Sequence, residues 1–566
     1  MRQPGDDLGR GGDGAGTRLP ARAGAQGAVL AKGPQALSTT DHYYLTTAIF
    51  YPSPGPPLHS LFEAIGSDAI VRYHRLQGAE TRFLTGMDEH SAQVERLAHE
   101  RGTQPRPLVD EWAAAWRAAF DRFEISYDRF IRTTDADHLA ASSEMVRRAQ
   151  AAGDIYKGVY AGWYCTGDNE FKTDAQLVDG RCPDHPTLEL QWLEEENYFF
   201  RLSRYQGALE QLYRENPSFC EPEHFRNEVL GWLRDGLTDF SVSRAGSSWG
   251  IPFPGDEAHR IYVWFDALTN YVTGAGFPDD PDSFARFWPA DLHVIGKNIT
   301  RFHCLYWPAM LMSAGLPLPR QVFAHGFMLL KGEKMSKTRG NILDPDEAVR
   351  LFGVDGIRYL VLREIPFDRD GDITFEGLVR RYNADLANDL GNLINRTVSM
   401  SARYLAGKLP PLAGSVASAD DQLRGAASVA VEAYHAAMGR HHLDEALVAV
   451  MELTRAANGY AESQAPWARH KEGDSARVGA ILAALGETCR ILGHLMAPFT
   501  PSTAAALHSQ LGVPAPYDGR GSGGPGLEGL LGWGAVPDGW TTDEARPLFP
   551  RVELPPDDPA EPGGAP

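Results

Sequence analysis

The sequence predicts an α/β architecture: a parallel sheet broken by an inserted segment, followed by an α-helical bundle. Three observations predict it. Strand-like and helical segments alternate over residues 39–152 and again over 251–330. A Cys/Asp/His cluster interrupts that rhythm within residues 153–250. From about Glu376 to Leu511 the apolar spacing is helical, with almost no strand signal.

At 566 residues and 43% hydrophobic, the chain is too long for one core and divides into several domains. Residues 1–38 lack the apolar stretch of a secretory leader and are expected to be a disordered tail. No run of about 20 apolar residues suggests a membrane span. Five cysteines in a chain this size make no disulfide framework, so a reducing, cytoplasmic setting is expected. The net charge of −20 argues at face value against a nucleic-acid partner. However, nine acidic and three basic residues lie from Gly512 onward. That Gly/Pro-rich stretch, 512–566, is expected to be a second disordered tail. Local patches, not the total, decide whether RNA binds.

The first strand is the apolar "YYLTTAIFY", and a loop with Pro52, Pro54, Pro56 and Pro57 follows it. Leu61, Ile65, Ala69 and Tyr73 then fall four apart, which predicts a helix. A strand, a loop and a helix N-terminus make an anion site, because free N–H groups and the helix dipole favour phosphate. The loop has no Gly-rich signature and no lysine; between Pro52 and Glu63 its only ionisable side chain is His59. "TRFLTGMDEHS" runs from strand to loop, with Asp88 and His90 beyond the strand's carboxyl end. Ligands sit at that edge in open α/β sheets.

The insertion carries Cys165-x₂-Asp168 and Cys182-x₂-His185, thirteen residues apart. Paired knuckles of this kind are a zinc signal. Carboxylate is a harder ligand than thiolate, so a Cys₂AspHis zinc site and a knuckle without metal both stay open. After "IYVWFDALTNY" and "HVIGKNITRFHCLYWPAML" restore the α/β alternation, "LLKGEKMSKTRGN" clusters Lys331, Lys334, Lys337 and Arg339 within nine residues, with Gly332 and Gly340 beside them. Clustered cations on a loop suit developing negative charge on a phosphate.

"KMSKT" with "RGN" resembles the KMSKS loop of class I aminoacyl-tRNA synthetases. With "YYLTTAIFYP", "VRYHRLQG", "FLTGMDEH", "IYVWFDALTNY" and "DLANDLGNLINRT", the chain from Tyr43 to Leu511 resembles bacterial methionyl-tRNA synthetases. The resemblance implies a class I Rossmann-like catalytic domain in two halves (39–152 and 251–330) around a connective insertion (153–250). A KMSKS and stem-contact region (331–375) and an α-helical anticodon-binding bundle (376–511) would follow. It implies ATP-dependent formation of methionyl-AMP and transfer of methionine to the 3′ end of tRNA(Met). The family's appended C-terminal tRNA-binding module has no counterpart here, so a monomer is expected.

By the same resemblance, the methionine pocket comprises Ile49, Tyr51, Asp88, Trp264, Ala267, Leu268, Tyr271, His303, Tyr306 and Trp307. His303, Tyr306 and Trp307 have the spacing of one helix face. Aromatic walls suit a thioether, and Asp88 can hold an ammonium. ATP, carrying Mg²⁺, would meet Pro57, Leu58, His59, Ser60, Lys297, Asn298, Lys334, Ser336 and Lys337. Lys334 and Lys337 would hold the leaving pyrophosphate, with His59 and Ser60 at the catalytic loop. Two departures stand out. The HIGH segment is Pro57-Leu58-His59-Ser60, and Asn298 replaces the usual Asp. The first replaces two histidines by a proline without N–H and one hydroxyl. An active ligase and a catalytically impaired paralogue that binds without efficient activation are the two readings. Asn392, Arg396 and Trp467 would read the anticodon, since splayed bases stack on aromatics and bond to amide and guanidinium groups.

Overall fold

The computed structural model describes residues 42–166, 170–172, 177–183, 185–330, 333–334, 344–412, 417–514, 526–535 and 540–553. Its centre is a six-stranded, wholly parallel sheet. The strands are β1 (His42–Thr47), β2 (Glu80–Met87), β3 (Arg129–Arg132), β4 (Cys220–Glu221), β5 (Leu292–Gly296) and β6 (Val322–His325), in the spatial order β3-β2-β1-β5-β6-β4. Succession runs outward from β1 through β2 on one side and restarts at β5 on the other. The β1/β5 boundary is therefore a topological switch point, where a crevice opens beyond the strand ends.

The helix α1 (Leu58–Leu76) follows β1. Leu58, Leu61, Phe62, Ile65 and Ile70 are completely buried. Burial of such a side chain contributes about 1.5–3 kcal/mol. At Gly66 the helix lies so close to Phe367 that a Cβ would sit 2.5 Å from the ring. Asp68 is buried on this helix, and its carboxylate meets Arg72 and Arg358 at 2.7 Å each. Burial alone would raise its pKa; the two guanidiniums outweigh it and bring the value to about 2.

The insertion is built on a four-stranded antiparallel sheet that includes Ile155–Cys165, Glu170–Lys172, Gln191–Phe200 and Phe240–Ser241. The span 153–250 is not wholly separate, however. Its residues Cys220–Glu221 form β4 and extend the central sheet beside β6. Two residues are too few for periodicity to reveal a strand.

Beyond β6, Met328–Leu330 pairs antiparallel with Glu333–Lys334 and parallel with Gly371–Ile373. The helix Pro345–Glu364 then crosses α1, with a break at Gly353 (φ 71°). The helices Asn392–Leu405, Ser418–Met438, Leu443–Gln464, Ser475–Met496 and Pro501–Leu511 form the bundle. Ser475–Met496 has the length and composition of a membrane span, which the sequence reading did not register. It is the bundle's core helix, and its apolar stretch is buried almost throughout.

The expected disordered tail 512–566 needs correction. Trp540–Thr541 pairs antiparallel with Lys408–Leu409, and Trp540 and Phe549 are buried. Arg490 donates to the carbonyls of Leu530 and Gly532. A few large apolar anchors fix a stretch whose average composition is that of a loop. The first tail, 1–38, lies outside the described residues.

Candidate active site

A cavity of about 310 Å³ opens at the switch point. The loops leaving four parallel strands meet there: Ala48 to Tyr51 after β1, Asp88 after β2, Gly296 and Asn298 at the end of β5, and His325 to Met328 at the end of β6. The first turn of α1 closes one side through Pro57, His59 and Ser60.

One end of the cavity is apolar and uncharged. Ile49, Trp264, Ala267, Leu268, Tyr271 and His303 line it, and the half-exposed Tyr51 stands at the rim. Trp264 stacks on Phe302 with ring centres 3.7 Å apart. His303 Nδ1 lies 3.0 Å from the carbonyl of Ile299, which can only accept, so that nitrogen carries the proton. Nε2 is then the acceptor for the Tyr271 hydroxyl at 2.6 Å. Burial lowers the His303 pKa to about 4, which keeps the ring neutral.

Asp88 supplies the contrasting charge. It is buried, and its Oδ1 has no hydrogen-bond partner among the described residues. Burial first, then the charges of Asp266 and Glu89, hold its carboxyl well above the usual range. Beneath it, Asp266 is clamped between His90 Nδ1 at 2.7 Å and His138 Nε2 at 2.6 Å. Burial would raise Asp266 too, but the two imidazoles bring it to about 2.

Tyr306 and Trp307 stand behind this wall rather than in it. Phe302–Tyr306 is a π-helical turn, which carries Tyr306, three residues after His303, off the His303 face. Tyr306 stacks on Phe240 at 4.2 Å, and Trp307 donates to His293 at 3.3 Å.

At the other end, Pro57 is the N-cap of α1 without a side-chain cap bond, and Leu58 turns into the core. His59 is exposed at the cavity and Ser60 is buried beside it. Asn298 lines the cavity, whereas Lys297 turns to Asp370 at 2.7 Å and lies over Phe327. Lys334 lies in the short strand after Met328–Leu330; Ser336 and Lys337 lie outside the described residues.

Two further clusters lie away from the cavity. The donor atoms of Cys165, Cys182 and His185 all lie within 4.8 Å of one another. Two thiols and an imidazole suit zinc, and the described groups therefore fit such an ion. Asp168 lies outside the described residues. In the bundle, Arg396 sits 5.3 Å over the Trp467 ring, with its guanidinium 2.7 Å from Glu462. Asn392 is exposed one turn earlier on the same helix.

Comparison with known proteins decides the family. The model for class I (M) tRNA synthetases matches residues 43–189 and 186–398, and the model for the anticodon-binding domain of methionyl tRNA ligase matches 410–517. The chain belongs to the class I methionyl-tRNA synthetases. Methionine–tRNA ligase of Thermosynechococcus vestitus is 42% identical over 91% of this chain and 98% of its own. That of Mycobacterium tuberculosis is 46% identical over 83% and 92%. The solved M. tuberculosis methionyl-tRNA synthetase in complex with methionyl-adenylate superposes with a TM-score of 0.85. It is 43% identical and covers 90% of this chain and all of its own. The apo form of the same enzyme gives 0.78 at 40% identity, over 91% and 99%.

Among the cavity residues of this synthetase that sequence reasoning missed, three are buried and polar. Glu63 accepts from the Ala48 amide at 3.0 Å and meets His325 Nε2 at 2.9 Å, so it ties the end of β1 to the end of β6. Both ring nitrogens of His325 face oxygens, the second being the Gly326 carbonyl at 2.7 Å. A carboxylate inside a helix without a buried role is ordinary, so Glu63 carried no signal. Asn270 is the third, hidden inside "WFDALTNY".

Proposed function

We propose that this chain is a methionine–tRNA ligase. It activates methionine with ATP to methionyl-AMP, releasing pyrophosphate, and transfers methionine to the 3′ end of tRNA(Met). The Asp88 carboxyl carries the reading: it is buried, its Oδ1 has no partner among the described residues, and it lines the cavity together with Ile49, Trp264, Tyr271 and His303. An α-ammonium satisfies that oxygen by a charge-assisted bond. The thioether lies against Trp264, Tyr271 and His303, where sulfur–aromatic contacts favour it.

The methionine carboxylate attacks the α-phosphorus, and the bond to the bridging oxygen of pyrophosphate breaks. No side chain must move a proton in that step. Catalysis is positioning and stabilisation of phosphate charge. The unpaired N–H groups of the first turn of α1 offer a phosphate site. His59 and Ser60 flank it, Asn298 faces the nucleotide, and Lys334, Ser336 and Lys337 hold the leaving pyrophosphate. Mg²⁺ would arrive on the ATP phosphates. The impaired-paralogue reading gains nothing from the arrangement, since Pro57, His59 and Ser60 still line the cavity.

Asn392, Arg396 and Trp467 form the anticodon-reading group of this proposal. The Arg396–Trp467 stack presents a flat face on which a loop base can lie. Cys165, Cys182 and His185 would hold one structural zinc ion, stapling the knuckle of the insertion.

Methionine-dependent ATP–pyrophosphate exchange tests the reading, with Lys334→Ala as control. Robust exchange that the control loses is the expected result. Folded protein that gives no exchange would sink it.

A further inference from the structure

We propose that Asn270 is a specificity-determining residue: its side-chain oxygen accepts a hydrogen bond from the α-ammonium of the amino-acid substrate, sharing that cation with Asp88. The inference rests on the methionine reading above. Asn270 opens the short helix Asn270–Ala275, is 1% exposed and lines the cavity. Its Nδ2 donates to the Ala267 carbonyl at 2.6 Å. Only the nitrogen of the amide can donate there, so the orientation of the group is set and Oδ1 is its free end. That oxygen is buried and without a partner among the described residues.

Buried polar atoms are almost always paired, so an orphan on a residue that lines a ligand cavity calls for a ligand atom. Among the cavity-lining residues the structure leaves two such orphans, Asp88 Oδ1 and Asn270 Oδ1. Both are acceptors. The neighbouring polar groups are engaged: the Tyr271 hydroxyl with His303, and Glu63 with Ala48 and His325. A ligand that satisfies two separate acceptors needs more than one donor hydrogen. A primary ammonium has three; a carboxylate and a thioether have none. The amide brings no second negative charge next to Asp88, whose carboxyl already stands near Asp266 and Glu89.

The test uses Asn270→Ser, which removes the amide oxygen and leaves a shorter hydroxyl able to donate to the Ala267 carbonyl. Three ligands are compared as inhibitors of tRNA charging or by quenching of tryptophan fluorescence. They are methionine, 3-(methylthio)propylamine, which keeps the ammonium, and 4-(methylthio)butanoate, which lacks it. The expected result is a loss of about tenfold or more for methionine and the amine, the size of a bond to a charged group. Butanoate binding and the KM for ATP stay at wild-type values. Equal losses for the amine and the butanoate, no loss at all, or a loss confined to the KM for ATP would each overturn the proposal. If the Ser variant does not fold, Asn270→Asp replaces it: added negative charge must tighten the amine relative to the butanoate, and an unchanged ratio overturns the proposal. Wild-type protein that binds neither methionine nor the amine overturns the methionine reading itself, and the proposal with it.

Discussion

Arg358 Nη2 lies 2.7 Å from Asp68 Oδ2, and both side chains are completely buried. The same guanidinium donates to the carbonyls of Phe123, Pro498 and Phe499. One side chain thus joins α1, which opens at the cavity, to the helix after the KMSKS-like segment and to the bundle.

Arg358→Met leaves Asp68 with Arg72 as its one guanidinium partner, beside the two Ser126 donors, in a buried interface. Breaking a buried pair from one side costs about 3–5 kcal/mol. The expected outcome is a large drop in thermal stability; a drop below about 1 kcal/mol would contradict the pairing.

Asp68 also sets an acid limit. Its folded pKa of about 2 is below the unfolded carboxylate value of about 3.9. Its ionisation therefore stabilises the fold above the unfolded value, and that contribution is lost as pH falls through about 2. Asp68→Asn should flatten the acid side of the stability–pH curve, measured by urea unfolding between pH 5 and 2.

Asp88 titrates in the opposite sense. Burial, Asp266 and Glu89 favour its protonated form in the empty site. A bound ammonium needs the ionised form, so methionine must expel a proton as the pH drops. The KM for methionine should rise toward acid pH while the KM for ATP does not. Asp88→Asn should raise the methionine KM about tenfold or more and remove that slope. A profile equal to wild type would rule out the contact.

The Cys165–Cys182–His185 cluster predicts zinc in the purified protein, near one ion per chain by elemental analysis. Cys182→Ser should lower the content and speed proteolysis within residues 153–200. Unchanged zinc content in that variant would place the metal elsewhere.

Trp540 packs on Leu409 and Gly486, where a Cβ on the glycine would sit 2.8 Å from either side chain. Trp540→Ala should cost about 3–5 kcal/mol of stability. Unfolding monitored on the helical bundle measures it, and an unaffected midpoint would mean that the segment does not hold the bundle.

The layout of this chain was legible wherever chemistry repeats along the sequence. β1, α1 and the DEH loop announce themselves through apolar runs and helical spacing, and the cluster of Cys165, Cys182 and His185 through its residue types. What stayed hidden depends on contacts between distant residues. Glu63 and Asn270 are ordinary helix residues until the fold turns them toward the cavity. Tyr306 and Trp307 have α-helical spacing with His303, yet His303 lines the cavity and those two do not. Cys220–Glu221 and Trp540–Thr541 are strands only because a partner strand is presented to them. Average composition hid the second of these, since Trp540 and Phe549 anchor a segment rich in Gly and Pro.

β1 pairs with β2 on one side and with β5 on the other, and β5 begins at Leu292. During translation the ribosome delivers β1 and β2 long before β5. Until Gly296 has emerged, the middle of the future sheet has an unpaired apolar edge, the kind of surface on which nascent chains aggregate. The switch point that shapes the cavity is thus also the seam that closes late.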